Sequence, residues 1–202
     1  MTLLADALGF DRRIGREGLN AGLGFGGGCL PKDIKALAVR ADELGVGVLS
    51  DLIRAVEAIN AGQRTEVAEL AIEQAGGDVN GKRIAVLGAA FKPGTDDTRN
   101  SPALTVADHL HAHGADVRIY DPQARLSPRE GFTQVASVEQ AVHGAEVVLH
   151  LTEWPEFRQL DPQKLATLVK SKIIIDGRLK LHPPTWRNAG WKLVQIGRAA
   201  TL

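Results

Sequence analysis

The sequence predicts an α/β protein in which a helical segment with one long connecting helix precedes a doubly wound parallel sheet. Three observations carry that reading. Apolar residues recur at helical spacing up to about residue 74. From residue 83 onward, short apolar runs alternate with helical patterns. Between the two regimes lies Gly-Gly-Asp-Val-Asn-Gly-Lys at 76–82, rich in turn residues. The expected organisation is therefore a helical part over 1–78 and an α/β domain over 79–202.

Each element has its own signal. Residues 3–8 read as the tail of a helix stopped by Gly9, and 14–28 as a glycine-rich, irregular stretch. A helix is expected to begin near Pro31, because proline suits the first helical turn, and to stop at Gly45. From about 48 to 74, Leu49, Leu52, Ile53, Val56, Ile59, Val67, Leu70 and Ala71 form one apolar stripe, ended by Gly76 and Gly77. Five strands follow, at 83–91, 116–122, 146–152, 172–178 and 191–197. Helices between them are expected at 101–114, 138–145, 161–169 and 183–190, the first capped by Ser101. Strand–helix alternation of this kind builds a Rossmann-like sheet with helices on both faces.

Bulk properties narrow the function. The 202 residues hold 24 Lys plus Arg and 24 Asp plus Glu, a formal charge of zero, so no global field favours nucleic acid or an acidic membrane. No apolar run is long enough to span a bilayer, and the first residues make a poor signal peptide. A single cysteine excludes an intrachain disulfide and fits a reducing compartment; the expected location is the cytoplasm.

The most informative segment is Gly-Leu-Gly-Phe-Gly-Gly-Gly-Cys-Leu-Pro-Lys-Asp at 22–33. It contains G-x-G-x-x-G at Gly22, Gly24 and Gly27, but residues 16–21 are not a strand, as a dinucleotide fingerprint requires. Cys29 is the better focus. It stands at the start of a helix, where partial positive charge and Lys32 favour an anionic sulfur. Asp33, four residues on, shares its face. A thiolate beside a carboxylate suits covalent aldehyde oxidation: the sulfur takes the carbonyl carbon and the carboxylate assists hydrolysis. The competing reading is a small buried thiol, the usual fate of an unpaired cysteine.

This loop is similar to the catalytic motif of the UDP-glucose/GDP-mannose dehydrogenase family. The segments 85–104 (AVLGAAFKPGTDDTRNSPAL), 148–157 (VLHLTEWPEF) and 173–178 (IIIDGR) resemble later parts of that family, in the same order. The resemblance covers essentially the whole chain. It implies two-step, NAD-dependent oxidation of UDP-glucose to UDP-glucuronate through a thiohemiacetal and a thioester on Cys29, with Asp33 as the assisting carboxylate. It further implies that Phe25 and Gly26 lie under the sugar nucleotide, that Phe91, Lys92 and Arg178 bind substrate, and that Arg13 reaches the substrate of a neighbouring subunit. Arg99 corresponds to a position at the NAD end of the cleft. The helix near 48–74 corresponds to the core of a homodimer. UDP-N-acetyl sugars and GDP-mannose are the alternative substrates.

Physical reasoning supports part of this set. Lys92 and Arg178 follow predicted strands, and ligands of open α/β sheets bind beyond the carboxyl ends of strands. Two cations there suit a diphosphate. Taken singly, each is an ordinary loop cation within reach of Asp96, Asp97 or Asp176. His109, His111 and His113 lack a matching ligand cluster in the sequence, so they read as surface residues and no metal is expected. Trp154 reads as a core edge, and Ser50 has no histidine partner in its motif.

The resemblance also implies an NAD-binding domain, and no strand–helix–strand unit precedes residue 22. The expectation is a substrate half that works with a separate NAD-domain chain. The alternatives are a non-catalytic UDP-sugar-binding module and an inactive relic.

Overall fold

The computed structural model describes residues 2–16, 18–127 and 131–198. Three helices come first: α1 (Thr2–Gly9), α2 (Leu30–Glu43) and α3 (Gly47–Gln74). The remainder alternates: β1 (Arg83–Leu87), α4 (Pro102–Ala112), β2 (Asp116–Tyr120), β3 (Phe132–Gln134), α5 (Val138–Val142), β4 (Val147–His150), α6 (Pro162–Ala166), β5 (Ile173–Asp176), α7 (Pro183–Asn188) and β6 (Lys192–Gln195). A 3-10 turn over Pro155–Gln159 precedes α6.

The six strands are all parallel, in the order β3-β2-β1-β4-β5-β6. Strand order reverses between β1 and β4, so the crevice that an open α/β sheet offers a ligand lies past Leu87 and His150. Right-handed crossovers put α4 on one face and α5, α6 and α7 on the other. The central strands β1 and β4 are buried almost throughout, as the apolar runs at 84–87 and 147–149 require. Towards the edge, β2 alternates buried and half-buried positions.

Local chemistry sets the helix ends. Ser101 accepts from the Leu104 amide at 3.4 Å and starts α4, with Pro102 in its first turn. Ser137 and Asp161 cap α5 and α6 in the same way. Gly45, at φ +70°, turns the chain just past α2. Val67, Ala68 and Ala71 of α3 join Val106 and Leu110 of α4 in the core that also holds the sheet, so the C-terminal part of the long helix is built into the α/β fold.

Two sequence expectations need correction. Among the described residues the sheet has six strands rather than five: β3 is three residues on an edge. The strand expected over 83–91 ends at Leu87, because Gly88 turns at φ +104° and the next two amides bond a side chain. The stripe on α3 divides: Ile53, Val67 and Ala71 are buried, whereas Leu52 and Ile59 are 62% and 68% exposed, with Val48 beside them at 86%. No helix among the described residues is long and apolar enough to cross a membrane.

Candidate active site

The glycine-rich loop lies against the carboxyl ends of β4 and β5. Leu23 is fully buried and anchors it; a Cβ on Gly177 would come within 2.9 Å of the Leu23 side chain. Only a residue without a side chain lets the two segments meet this closely. The loop is then clamped from α3. Asn60 Oδ1 accepts from the Phe25 amide at 2.7 Å, and Asn60 Nδ2 donates to the Phe25 carbonyl at 3.1 Å. Arg64 Nη2 donates to the same carbonyl at 2.5 Å. On the far side, Asn100 Nδ2 donates to the Gly27 carbonyl at 3.0 Å, and the Gly27 amide donates to the Arg99 carbonyl at 2.9 Å. Gly24 is at φ +91°, and any Cβ there would meet Asn60 Oδ1 at 2.1 Å.

Two connected grooves result. The larger, about 820 Å³, runs past Phe25, Asn60, Gln63, Phe91, Lys92 and Arg178. The smaller, about 440 Å³, runs past Gly26, Cys29, Asp97 and Arg99. Phe25, Phe91 and Lys92 line both. Gly27 packs against the Phe91 ring, and Lys92 Nζ sits 5.5 Å from that ring's centroid.

Arg178 closes one end. It is 9% exposed. Its Nε donates to the Leu151 carbonyl at 2.6 Å and lies 3.2 Å from Glu153 Oε2. Its amide donates to Asp176 Oδ1 at 3.1 Å. The Nη2 atom is buried without a partner. A buried guanidinium donor of this kind is costly until an acceptor reaches it. Burial lowers the pKa of this arginine, and Glu153 and Asp176 oppose that shift.

Cys29 occupies the other end. It is exposed and is the residue just before α2, with no side-chain cap of its own. The first helical bond runs from the Asp33 amide to the Cys29 carbonyl at 2.9 Å. The Arg99 guanidinium lies over Gly28, where a Cβ would approach it to 2.5 Å. Asp97 holds that guanidinium through two oxygens, at 3.0 and 2.7 Å. The Asp97 carboxyl is drawn down to about 2, chiefly by the Arg99 side chain. Arg99 is raised in turn, first by Asp97, with a smaller share from the nearby Cys29 sulfur.

The structure therefore brings Phe25, Gly26, Cys29, Phe91, Lys92, Arg99 and Arg178 to one pair of grooves. Asp33 and Arg13 are elsewhere. Asp33 lines neither groove and lies 3.3 Å from Lys32 Nζ. Arg13 is exposed and bound to Asp11 in a two-residue clamp like that of Asp97 and Arg99. Sequence reasoning missed Asn60, Gln63, Arg64 and Glu153. Asn60 and Arg64 carry a faint signal, as polar residues one helical turn apart beside an apolar stripe.

The α/β fold does not fit NAD in the usual manner. In a dinucleotide-binding fold, an acidic residue past β2 takes the ribose hydroxyls and the turn after β1 takes the pyrophosphate. Here Asp121, at that position, is buried. Its Oδ2 accepts from the amides of Ala89 and Ala90 at 2.7 and 2.9 Å and from Trp154 Nε1 at 3.1 Å. Its Oδ1 accepts from the amides of Gln123 and Ala124 at 3.0 and 2.8 Å. The acid and the turn thus satisfy each other and leave nothing for a ribose.

Comparison with known proteins places this geometry. Residues 1–62 match the central-domain model of the UDP-glucose/GDP-mannose dehydrogenase family, and residues 85–183 match that family's UDP-binding-domain model. A UDP-glucose 6-dehydrogenase from Pseudomonas aeruginosa is 36% identical over 200 residues, which are 95% of this chain and 44% of that protein. A solved UDP-glucose dehydrogenase from Pyrobaculum islandicum superposes with a TM-score of 0.79 at 32% identity, over 97% of this chain and 43% of the other. A UDP-D-ManNAc dehydrogenase from Pyrococcus horikoshii gives 0.76 at 32% identity, over 98% and 44%. The chain thus spans under half the length of these relatives, and by sequence and fold together it belongs to the UDP-glucose/GDP-mannose dehydrogenase family.

Proposed function

We propose that this chain is the substrate-holding, thiol-bearing part of an NAD-dependent UDP-sugar dehydrogenase that converts UDP-glucose to UDP-glucuronate. Residues 1–78 are its central-domain segment and 79–202 its UDP-sugar-binding domain. The observation that carries the reading is the buried, unpartnered Nη2 of Arg178 at the end of a cleft that also presents Lys92. A diphosphate supplies the anionic acceptors that such a pair of cations lacks. With the nucleotide at Arg178, the sugar extends over Phe25 and Phe91 towards Cys29.

In this arrangement Cys29 is the nucleophile. Its sulfur adds to the aldehyde carbon derived from the sugar's terminal alcohol, and the carbonyl oxygen takes up a proton. Arg99 supplies positive charge beside the sulfur. NAD, when bound, would accept a hydride from the resulting thiohemiacetal to leave a thioester, and Asp33 is the carboxylate that assists its hydrolysis; to do so it must leave Lys32. Arg13 serves a neighbouring subunit. The exposed stripe of Val48, Leu52 and Ile59 seats a second copy, giving a homodimer. NAD is the cofactor of this reading, and the turn after β1 with Asp121 does not offer it a dinucleotide site.

A second reading is a UDP-sugar-binding module without catalysis. The placement of Asp33 outside both grooves favours it. Calorimetric titration of the purified chain with UDP-glucose, and separately with NAD, tests the binding claim: saturable binding of UDP-glucose alone is expected, and its absence sinks both readings. Alkylation of Cys29 separates them. The dehydrogenase reading expects a reaction faster than that of a small-molecule thiol and slowed by UDP-glucose. An ordinary rate, unaffected by the nucleotide sugar, favours the module.

A further inference from the structure

In the sequence, His109 and His113 share one helix face and lack a ligand partner. The fold supplies one from forty residues away: Glu69 of α3 places Oε1 3.0 Å from His109 Nε2 on α4. We propose that Glu69, His109 and His113 form a site for a single divalent transition-metal ion of the zinc class, bridging α3 and α4.

Four observations converge on it. One ring nitrogen from each histidine and one carboxylate oxygen of Glu69 all lie within 4.8 Å of one another, so a closing movement of the exposed side chains lets one ion contact all three. The two imidazoles stand beside each other, with centroids 4.7 Å apart and planes 15° from parallel, so a turn of one ring brings both lone pairs to one ion. His113 Nδ1 bonds the His109 carbonyl at 2.8 Å. A ring held in this way carries its proton on Nδ1 and keeps the Nε2 lone pair for a metal, the arrangement that metal-ligating histidines ordinarily show. Finally, Glu69 lines a groove with Glu66 and Glu73 on the same helix, so the local field favours a cation.

The donor set selects the metal class. Two imidazoles and one carboxylate suit zinc, cobalt(II) or nickel, whereas magnesium and calcium prefer oxygen ligands alone. Glu69 and His113 are exposed, so solvent completes the coordination. None of the three residues lines the grooves of Cys29 and Arg178. The ion would fasten the long helix to the α/β fold rather than take part in chemistry at the sulfur.

The test uses the purified chain with any histidine tag removed. Titration with zinc chloride followed by calorimetry is expected to show one equivalent bound. The thermal midpoint should rise with zinc and stay unchanged with magnesium. His109→Asn and His113→Asn should each weaken zinc binding by at least about 10-fold while leaving the zinc-free melting curve near that of the parent. Cys29→Ser should bind zinc normally, and cobalt(II) should bind without a sulfur-to-metal charge-transfer band. No saturable zinc uptake, uptake that survives both histidine substitutions, or uptake lost in Cys29→Ser overturns the proposal.

Discussion

Arg178 Nε holds the carbonyl of Leu151 at 2.6 Å, which fixes the guanidinium across the ends of two strands and leaves its Nη2 facing no protein acceptor. Lysine at this position keeps the charge but loses the fork. Arg178→Lys is expected to weaken UDP-glucose binding by about 2 kcal/mol, roughly 30-fold, the worth of one charge-assisted hydrogen bond. Calorimetry on folded protein, with a thermal melt as the control, reads this directly. Unchanged affinity would remove Arg178 from the substrate site.

Asn60 satisfies both backbone groups of Phe25 from a helix that is remote in sequence. Asn60→Ala leaves the Phe25 amide without its acceptor and is expected to cost about 1–3 kcal/mol of stability in urea denaturation. Asn60→Asp keeps an acceptor for that amide and should cost less. If the two substitutions cost the same, the amide bond is not what holds the loop.

Asp121 gives a prediction in pH. Desolvation pushes its carboxyl upward, but the amides of Ala90, Ala89, Ala124 and Gln123 outweigh it, and the net shift is downward. A carboxyl whose folded pKa lies below its unfolded one stabilises the protein above the unfolded value, about 3.9, and that contribution is lost as pH falls through the folded value. Asp121→Asn should therefore be less stable than the parent at neutral pH, by about 2 kcal/mol. The gap should narrow below about pH 4, where the parent's carboxyl also becomes neutral. Trp154, bonded to Asp121, makes fluorescence a convenient probe. A gap that stays constant from neutral to acid pH would contradict the assignment.

The exposed stripe on α3 predicts association. Sedimentation equilibrium at micromolar concentration is expected to show a dimer, and Leu52→Glu to shift it to monomer, since Leu52 is 62% exposed in the single chain. A parent chain that sediments only as monomer rules out this use of the stripe.

The parts of the fold that announce themselves in the sequence are those whose neighbours are local or whose burial is complete. Ile84, Val86, Val148 and Ile174 sit in central strands covered on both faces, so their apolar runs stand out. Phe132–Gln134 does not, because an edge strand of three residues needs no such run. Ser101 reveals its cap because the bond it accepts is three residues away. The site divides along the same line. Cys29 and the glycines before it are contiguous, and so they are legible. Asn60, Arg64 and Glu69 act on residues 35 to 40 positions distant and carry no local pattern. Asp121 follows a strand and precedes a proline, which marks a turn but not that five protein donors converge on it.

The length of α3 has a consequence of its own. An unbroken helix of 28 residues is a rod about 42 Å long. Leu52 lies near one end, Asn60 near the middle and Val67 where the rod enters the α/β core. One continuous helix therefore joins the exposed stripe to the clamp on the glycine-rich loop and to the core. A partner seated against Leu52 would rest on the same helix from which Asn60 holds Phe25. Ile59, in the same stripe, lines the larger groove, so a second copy seated there and a ligand in that groove would meet the same stretch of helix.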